Sequence, residues 1–155
     1  MSDIKFGTDG WRAIIAKDFT VDNVARVTQA TASWMQGKFD QPSILIGHDC
    51  RFGGELFAET VAKVMVHNNI KVFMADGFVS TPMVSLGNVL LKTSAGIVLT
   101  ASHNPPSYNG YKLKGSYGGP LLPEEISAVE SFLPERNEID LDKILINDMI
   151  EDAKI

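Results

Sequence analysis

The sequence predicts an α/β fold, a three-layer α/β/α domain with a mixed, mainly parallel sheet. Short apolar runs carry the first part of that reading. Ile44–Ile46, Val72–Ala75 and Ile97–Leu99 each stop at a polar or glycine-containing segment and lack in/out alternation, as strands covered on both faces do. Longer segments of helical period lie between them. Strand, helix, strand, helix, strand is the order of a parallel sheet with right-handed crossovers.

Each element has its own signal. Thr20 reads as an N-cap, and Val24, Val27, Thr31, Trp34 and Met35 then line one helix face before Gly37. Phe57, Val61, Val64 and Met65 form a second stripe ahead of Asn68-Asn69. Thr81-Pro82 reads as a cap followed by proline at the first helical position, where the missing N–H costs nothing. Met83, Leu86, Val89 and Leu90 are then expected to face inward. A last helix opens at Pro123-Glu124-Glu125 and is expected to bury Ile126, Val129, Phe132 and Leu133. Two pieces stand outside the repeat and make the sheet mixed. Trp11–Ile15 reads as an extra strand, and Tyr108-Asn109-Gly110-Tyr111 as a tight turn into a strand or hairpin arm at Lys112–Lys114. The charged tail after Pro134 reads as a final strand and helix or as a connector.

Bulk properties narrow the function. A chain of 155 residues fits one domain, and one of that size hides roughly 70% of its unfolded surface. The net charge of −5 gives no support to binding nucleic acid or an anionic membrane. A single cysteine, Cys50, excludes an internal disulfide framework and suits a reducing compartment. No secretory h-region or membrane-length apolar run is visible, so a cytoplasmic location is expected.

In an open parallel sheet, ligands sit beyond the carboxyl ends of the strands. Those ends deliver Gly47–Arg51, Asp76-Gly77 and Thr100–Pro106, all expected at one edge. Ser102-His103 invites a serine-hydrolase reading. That reading is disfavoured because neighbours in an extended segment point apart and the G-x-S-x-G elbow is absent. On pattern alone, Ser102, His103 and Asn104 also read as a polar turn held by Pro105-Pro106. Lys112 reads as a solvated strand lysine, and Arg12 equally as an edge-strand charge.

The run Thr100-Ala101-Ser102-His103-Asn104-Pro105-Pro106-Ser107-Tyr108-Asn109-Gly110-Tyr111-Lys112 closely resembles the phosphoserine loop of the α-D-phosphohexomutases, which include phosphoglucomutase and phosphomannomutase. Phe6-Gly7-Thr8-Asp9-Gly10-Trp11-Arg12 is similar to the opening segment of the same family. The resemblance covers roughly residues 4 to 134. Ala13 and Cys50 depart from it, where glycine and a small hydroxylic residue or glycine are more usual.

The resemblance implies a fold of the family's first-domain type over residues 1–134, with 135–155 as an extension or connector toward a second domain. It implies interconversion of hexose 1-phosphate and hexose 6-phosphate through a phosphoserine and a bisphosphorylated intermediate. Ser102 is then the phosphoryl carrier, and its phosphate a ligand of Mg2+. His103 and Lys112 would serve proton transfer and charge stabilisation, and Arg12 would contact phosphate. Thr100, Asn104, Asn109, Asp49 and Arg51 would belong to the phosphate loop and its bracing. Hexose 1,6-bisphosphate is the implied activator or intermediate. The implied partners are a phosphorylated hexose and the family's remaining domains. The family's D-G-D-x-D-R-like magnesium motif has no counterpart here, Asp140-Leu141-Asp142-Lys143 being a poor match. An isolated first domain is therefore expected to be inactive. The alternative is a non-catalytic phosphosugar-binding or regulatory protein that retains only this domain.

Overall fold

A six-stranded sheet runs in the order β1-β5-β4-β2-β3-β6. Its strands are β1 (Trp11–Ile14), β2 (Ser43–His48), β3 (Lys71–Phe78), β4 (Ala95–Leu99), β5 (Tyr108–Gly115) and β6 (Ile150–Ala153). The helices are α1 (Val21–Lys38), α2 (Gly54–His67), α3 (Thr81–Leu91) and α4 (Pro123–Ser131). The computed structural model describes residues 4–7, 9–145 and, for the backbone, 150–153. Thr8 of the opening motif and parts of the tail fall outside those residues.

The β2-α2-β3-α3-β4 repeat is parallel as expected, and β6 joins β3 in parallel. β5 pairs antiparallel with β4, and β1 antiparallel with β5, so one edge of the sheet reverses direction. Alternation along the strands then divides two unequal cores. Ile44, Ile46, Val72, Ile97, Leu99, Tyr111 and Leu113 face α1, α2 and α4 in the large one. Leu45, Ala75, Val79, Val84 and Val98 form the small one under α3.

Capping chemistry sets the helix starts. Thr20 accepts a hydrogen bond from the Asn23 N–H at 3.2 Å and opens α1. For α3 the cap is Ser80, one residue before the expected Thr81, because the Ser80 hydroxyl reaches the Met83 N–H. The inward face of α3 also differs from expectation. Val84, Gly87 and Asn88 are buried, while Met83, Leu86, Val89 and Leu90 are exposed. The helix lies so close to β4 that Asn88 packs against Gly96, a spacing that small residues fill and a leucine stripe cannot. Phe132 is half exposed because α4 ends at Ser131, one residue short of carrying it onto the core.

Two strand boundaries also move. β3 continues through Asp76-Gly77 to Phe78, past a register irregularity opposite Ile46–His48. The expected turn at Tyr108–Tyr111 is strand, with Gly110 opposite Arg12 in β1. A Cβ on Gly110 would collide with the Thr100 carbonyl oxygen and lie 3.0 Å from Arg12 Cγ. This glycine thus serves close packing in a strand and not a reversal.

Asn88 anchors α3: its amide donates to the Gly115 carbonyl at 3.1 Å and its Oδ1 accepts from the Thr93 hydroxyl at 2.7 Å. Asn88→Ala strands both partners, so urea denaturation is expected to show a loss of about 1–3 kcal/mol with no change of fold.

Candidate functional site

The reversal from β4 to β5 is made by residues 100–107, and Arg51 holds it together. Arg51 Nη1 donates to the carbonyls of Pro105 (2.8 Å) and Tyr108 (2.9 Å), and Nη2 to those of Ser102 (2.9 Å) and Asn104 (2.7 Å). Asp49 orients the arginine, accepting from its backbone N–H at 3.0 Å and lying 3.5 Å from Nε. The Asp49 carboxylate also accepts from the Thr100 hydroxyl at 2.5 Å, and Thr100 Oγ1 in turn accepts from the Ser102 N–H at 3.1 Å. Asp49, Arg51 and Thr100 therefore fix the backbone on both sides of Ser102.

Ser102 itself is exposed and has φ +55°, the left-handed region. It lies in a turn and not in the extended segment assumed from sequence. A non-glycine residue held there costs about 1–3 kcal/mol, and such strain collects at functional sites. No hydrogen bond joins Ser102 to His103 among the described residues. His103 is exposed beside it. Asn104 accepts from Arg12 Nη1 at 3.2 Å, which ties β1 to the loop. Asn109 is buried and faces the other way, accepting from the Gly110 N–H and donating to the Phe52 carbonyl. His48 packs edge-on against Phe78 and bonds the Asp49 carbonyl, a bracing position. Asp76-Gly77 makes no side-chain hydrogen bond to the loop among the described residues.

Sheet register sets the cations. Arg12 lies opposite Gly110, so Arg12, Lys112 and Lys114 follow one face of β5 at two-residue steps. Lys112 is 6% exposed and is not the solvated lysine its residue type suggests. Its Nζ lies 2.7 Å from Asp9 Oδ2, while Lys114 Nζ lies 3.3 Å from Asp9 Oδ1. Among the described residues Arg12 Nε is buried without a hydrogen-bond partner, in a guanidinium flanked by open depressions of about 320 and 380 Å3 that Lys5 also lines. Asp9, Lys114 and Lys5 were not singled out in the sequence. The alternation Lys112-x-Lys114 in a strand was the available signal for one of them. Burial pushes the Asp9 carboxyl up, but the Lys112 hydrogen bond and the charges of Lys114 and Lys112 outweigh it, leaving it below its ordinary value. Among the described residues no group of three or more His, Cys, Asp or Glu side chains could hold a metal. No described helix is long and apolar enough to cross a membrane.

The family model for "Phosphoglucomutase/phosphomannomutase, alpha/beta/alpha domain I" matches residues 3–140. A phosphoglucomutase of Staphylococcus saprophyticus is 31% identical over 98% of this chain and 28% of its own length. A probable phosphoribomutase of Schizosaccharomyces pombe is 37% identical over 77% of this chain and 22% of its own. Among solved structures, a protein of Thermus thermophilus assigned as a phosphomannomutase superposes with TM-score 0.85 at 34% identity, covering 99% of this chain and 32% of that one. The Paramecium phosphoglucomutase parafusin, at 18% identity and TM-score 0.78, covers 100% of this chain and 31% of its own, and shares the fold. The chain thus spans about a third or less of the length of these relatives.

Removing the brace is expected to free the loop. Arg51→Met leaves the carbonyls of Ser102, Asn104 and Tyr108 without this donor, Pro105 keeping only the Tyr108 N–H at 3.0 Å, and amide exchange at Ser102–Asn104 should rise at least about tenfold. The Asp9 ion pairs carry a pH signature. A carboxyl depressed in the folded state stabilises above its unfolded value near 4 and loses that contribution as pH falls through the folded value. Stability should therefore fall more steeply between about pH 5 and 2 in the wild type than in Asp9→Asn, as read by urea titration at each pH.

Proposed function

The chain belongs to the phosphoglucomutase/phosphomannomutase family as its α/β/α domain I, and from that premise we propose that it is the phosphoserine-bearing domain of a phosphohexomutase, with Ser102 as the phosphoryl carrier. The observation that carries this reading is the loop geometry. Thr100, Asp49 and Arg51 spend their hydrogen bonds on one another and on backbone, which leaves Ser102 exposed in a strained conformation with Arg12 bonded to the same loop.

Phosphoryl transfer depends on positioning and on positive charge around the moving group. In the proposed cycle the bond from Ser102 Oγ to phosphorus breaks as a sugar hydroxyl oxygen bonds to phosphorus. The hydroxyl proton passes through a nearby base, for which His103 is the candidate beside the Lys112 ammonium, to the departing Ser102 Oγ. The bisphosphorylated hexose then turns, and its other phosphate passes to Ser102, with the proton returned to the new leaving oxygen. Arg12 would hold phosphate oxygens through its fork, which suits bidentate contact. Mg2+ would neutralise phosphate charge, and the Ser102 phosphate would be this chain's ligand to it. The other ligands, sugar recognition and the far wall of the cleft are assigned to further domains of a longer polypeptide, in keeping with the length of the relatives.

The test is incubation of the chain with hexose 1,6-bisphosphate and Mg2+, followed by phosphosite mass spectrometry. One phosphate is expected on Ser102 and none on Ser102→Ala, without sustained conversion of glucose 1-phosphate. A chain that binds the bisphosphate but leaves Ser102 unmodified would favour a phosphosugar-binding role. Robust mutase turnover would contradict the division of labour among domains.

A further inference from the structure

We propose that Lys112 and Lys114 form an anion subsite that the Asp9 carboxylate fills in the unliganded protein and that the phosphate of a sugar phosphate takes over by displacing it. The proposal rests on the reading of Ser102 as a phosphoryl carrier and deepens it by giving Lys114 and Asp9 parts in substrate binding.

Charge balance is the first support. Both lysine side chains are almost fully buried, at 7% and 6% exposure, and among the described residues both pair with the same aspartate. Lysines are seldom buried unless paired, and here one carboxylate serves two ammoniums. Among the described residues the adjacent Arg12 Nε, on the same sheet face, is buried with no hydrogen-bond partner. Among the described residues one carboxylate thus serves two lysines, with a third cation beside them, inside a chain whose net charge is −5. A purely structural pairing needs one lysine, and an apolar residue at position 114 would spare the cost of burying a second.

Geometry is the second support. Each Asp9 oxygen faces a different ammonium, at 2.7 and 3.3 Å, so the carboxylate bridges the pair as two oxygens of a phosphate monoester could. A phosphate dianion brings more charge and a third oxygen to the same place. Asp9 is the accessible member of the trio, one-third exposed above lysines that enter from the sheet. It sits in a turn closed by the Gly7 N–H on the Gly10 carbonyl at 2.9 Å, ahead of β1. Moving its carboxylate therefore breaks no pairing between β1 and β5. A depression of about 380 Å3 bounded by Lys5, Gly7, Asp9, Gly10 and Arg12 opens on the Asp9 side of the trio, and the two lysines lie behind that carboxylate without lining it.

Titration of 15N-lysine-labelled protein with inorganic phosphate, following the lysine ammonium signals by NMR, tests the exchange. Asp9→Asn removes the competing carboxylate and is expected to bind phosphate about tenfold tighter than the wild type, and Lys114→Met in that background should abolish the gain. Equal or weaker phosphate affinity in folded Asp9→Asn would overturn the proposal, and so would a gain that survives Lys114→Met. If Asp9→Asn does not fold, Lys114→Met alone decides: several-fold weaker phosphate affinity supports the subsite and unchanged affinity overturns it. Repeating the titration in Ser102→Ala separates this proposal from the carrier reading, since inorganic phosphate binding needs no chemistry at the serine.

Discussion

Without the Arg51 guanidinium, the loop that carries Ser102 would have several backbone carbonyls and no donors for them. Strands β4 and β5 run antiparallel, and the residues between them must reverse direction without forming a ladder of their own. Arg51 replaces that ladder, since each terminal nitrogen takes two carbonyls, and Asp49 fixes the fork from behind. Thr100 completes the circuit by linking Asp49 to the Ser102 N–H. A left-handed serine is sustainable because the groups on either side of it have no freedom to relax. The same circuit uses up polar atoms that could otherwise bond the Ser102 hydroxyl, which is what the proposed role as phosphoryl carrier requires.

The reversed edge of the sheet supplies the complementary charge. A fully parallel sheet would carry the opening segment away from the strand-end loops. Here β1 lies antiparallel on β5, which brings Arg12 across Gly110 and the Asp9 carboxylate over Lys112 and Lys114. Motifs that lie far apart in the chain thereby share one surface, as the bond from Arg12 to Asn104 makes concrete. The small core under α3 lies on the same sheet face as the lysines, Val98 being the β4 partner of Lys112, and the helix turns Leu86 and Leu90 outward.

Much of this was legible from the order of residues, because local rules governed it. The β2-α2-β3-α3-β4 repeat followed from apolar runs that need cover on both faces, and α1 and α2 from stripes whose period matches their burial. The errors arose where a distant group overrode a local preference. Asn109-Gly110 carries a hairpin signal, yet the glycine is required by the Thr100 carbonyl and the Arg12 side chain, contacts that no local window contains. Met83, Leu86, Val89 and Leu90 have helical spacing, yet the close approach of Asn88 to Gly96 selects the opposite face. Ser102 follows an apolar strand and so reads as extended, yet the bonds from Arg51 and Thr100 hold it in a left-handed turn. Asp9 and Lys114 escaped notice because their pairing spans 105 residues and gives meaning to neither alone.

In the proposed function this fold holds one serine, Ser102, ready to carry phosphate. Phosphosite mass spectrometry on the protein purified from its native source reads that out. Phosphate on Ser102 is the expected result. A protein phosphorylated elsewhere, with Ser102 bare and refractory to hexose 1,6-bisphosphate, would contradict it.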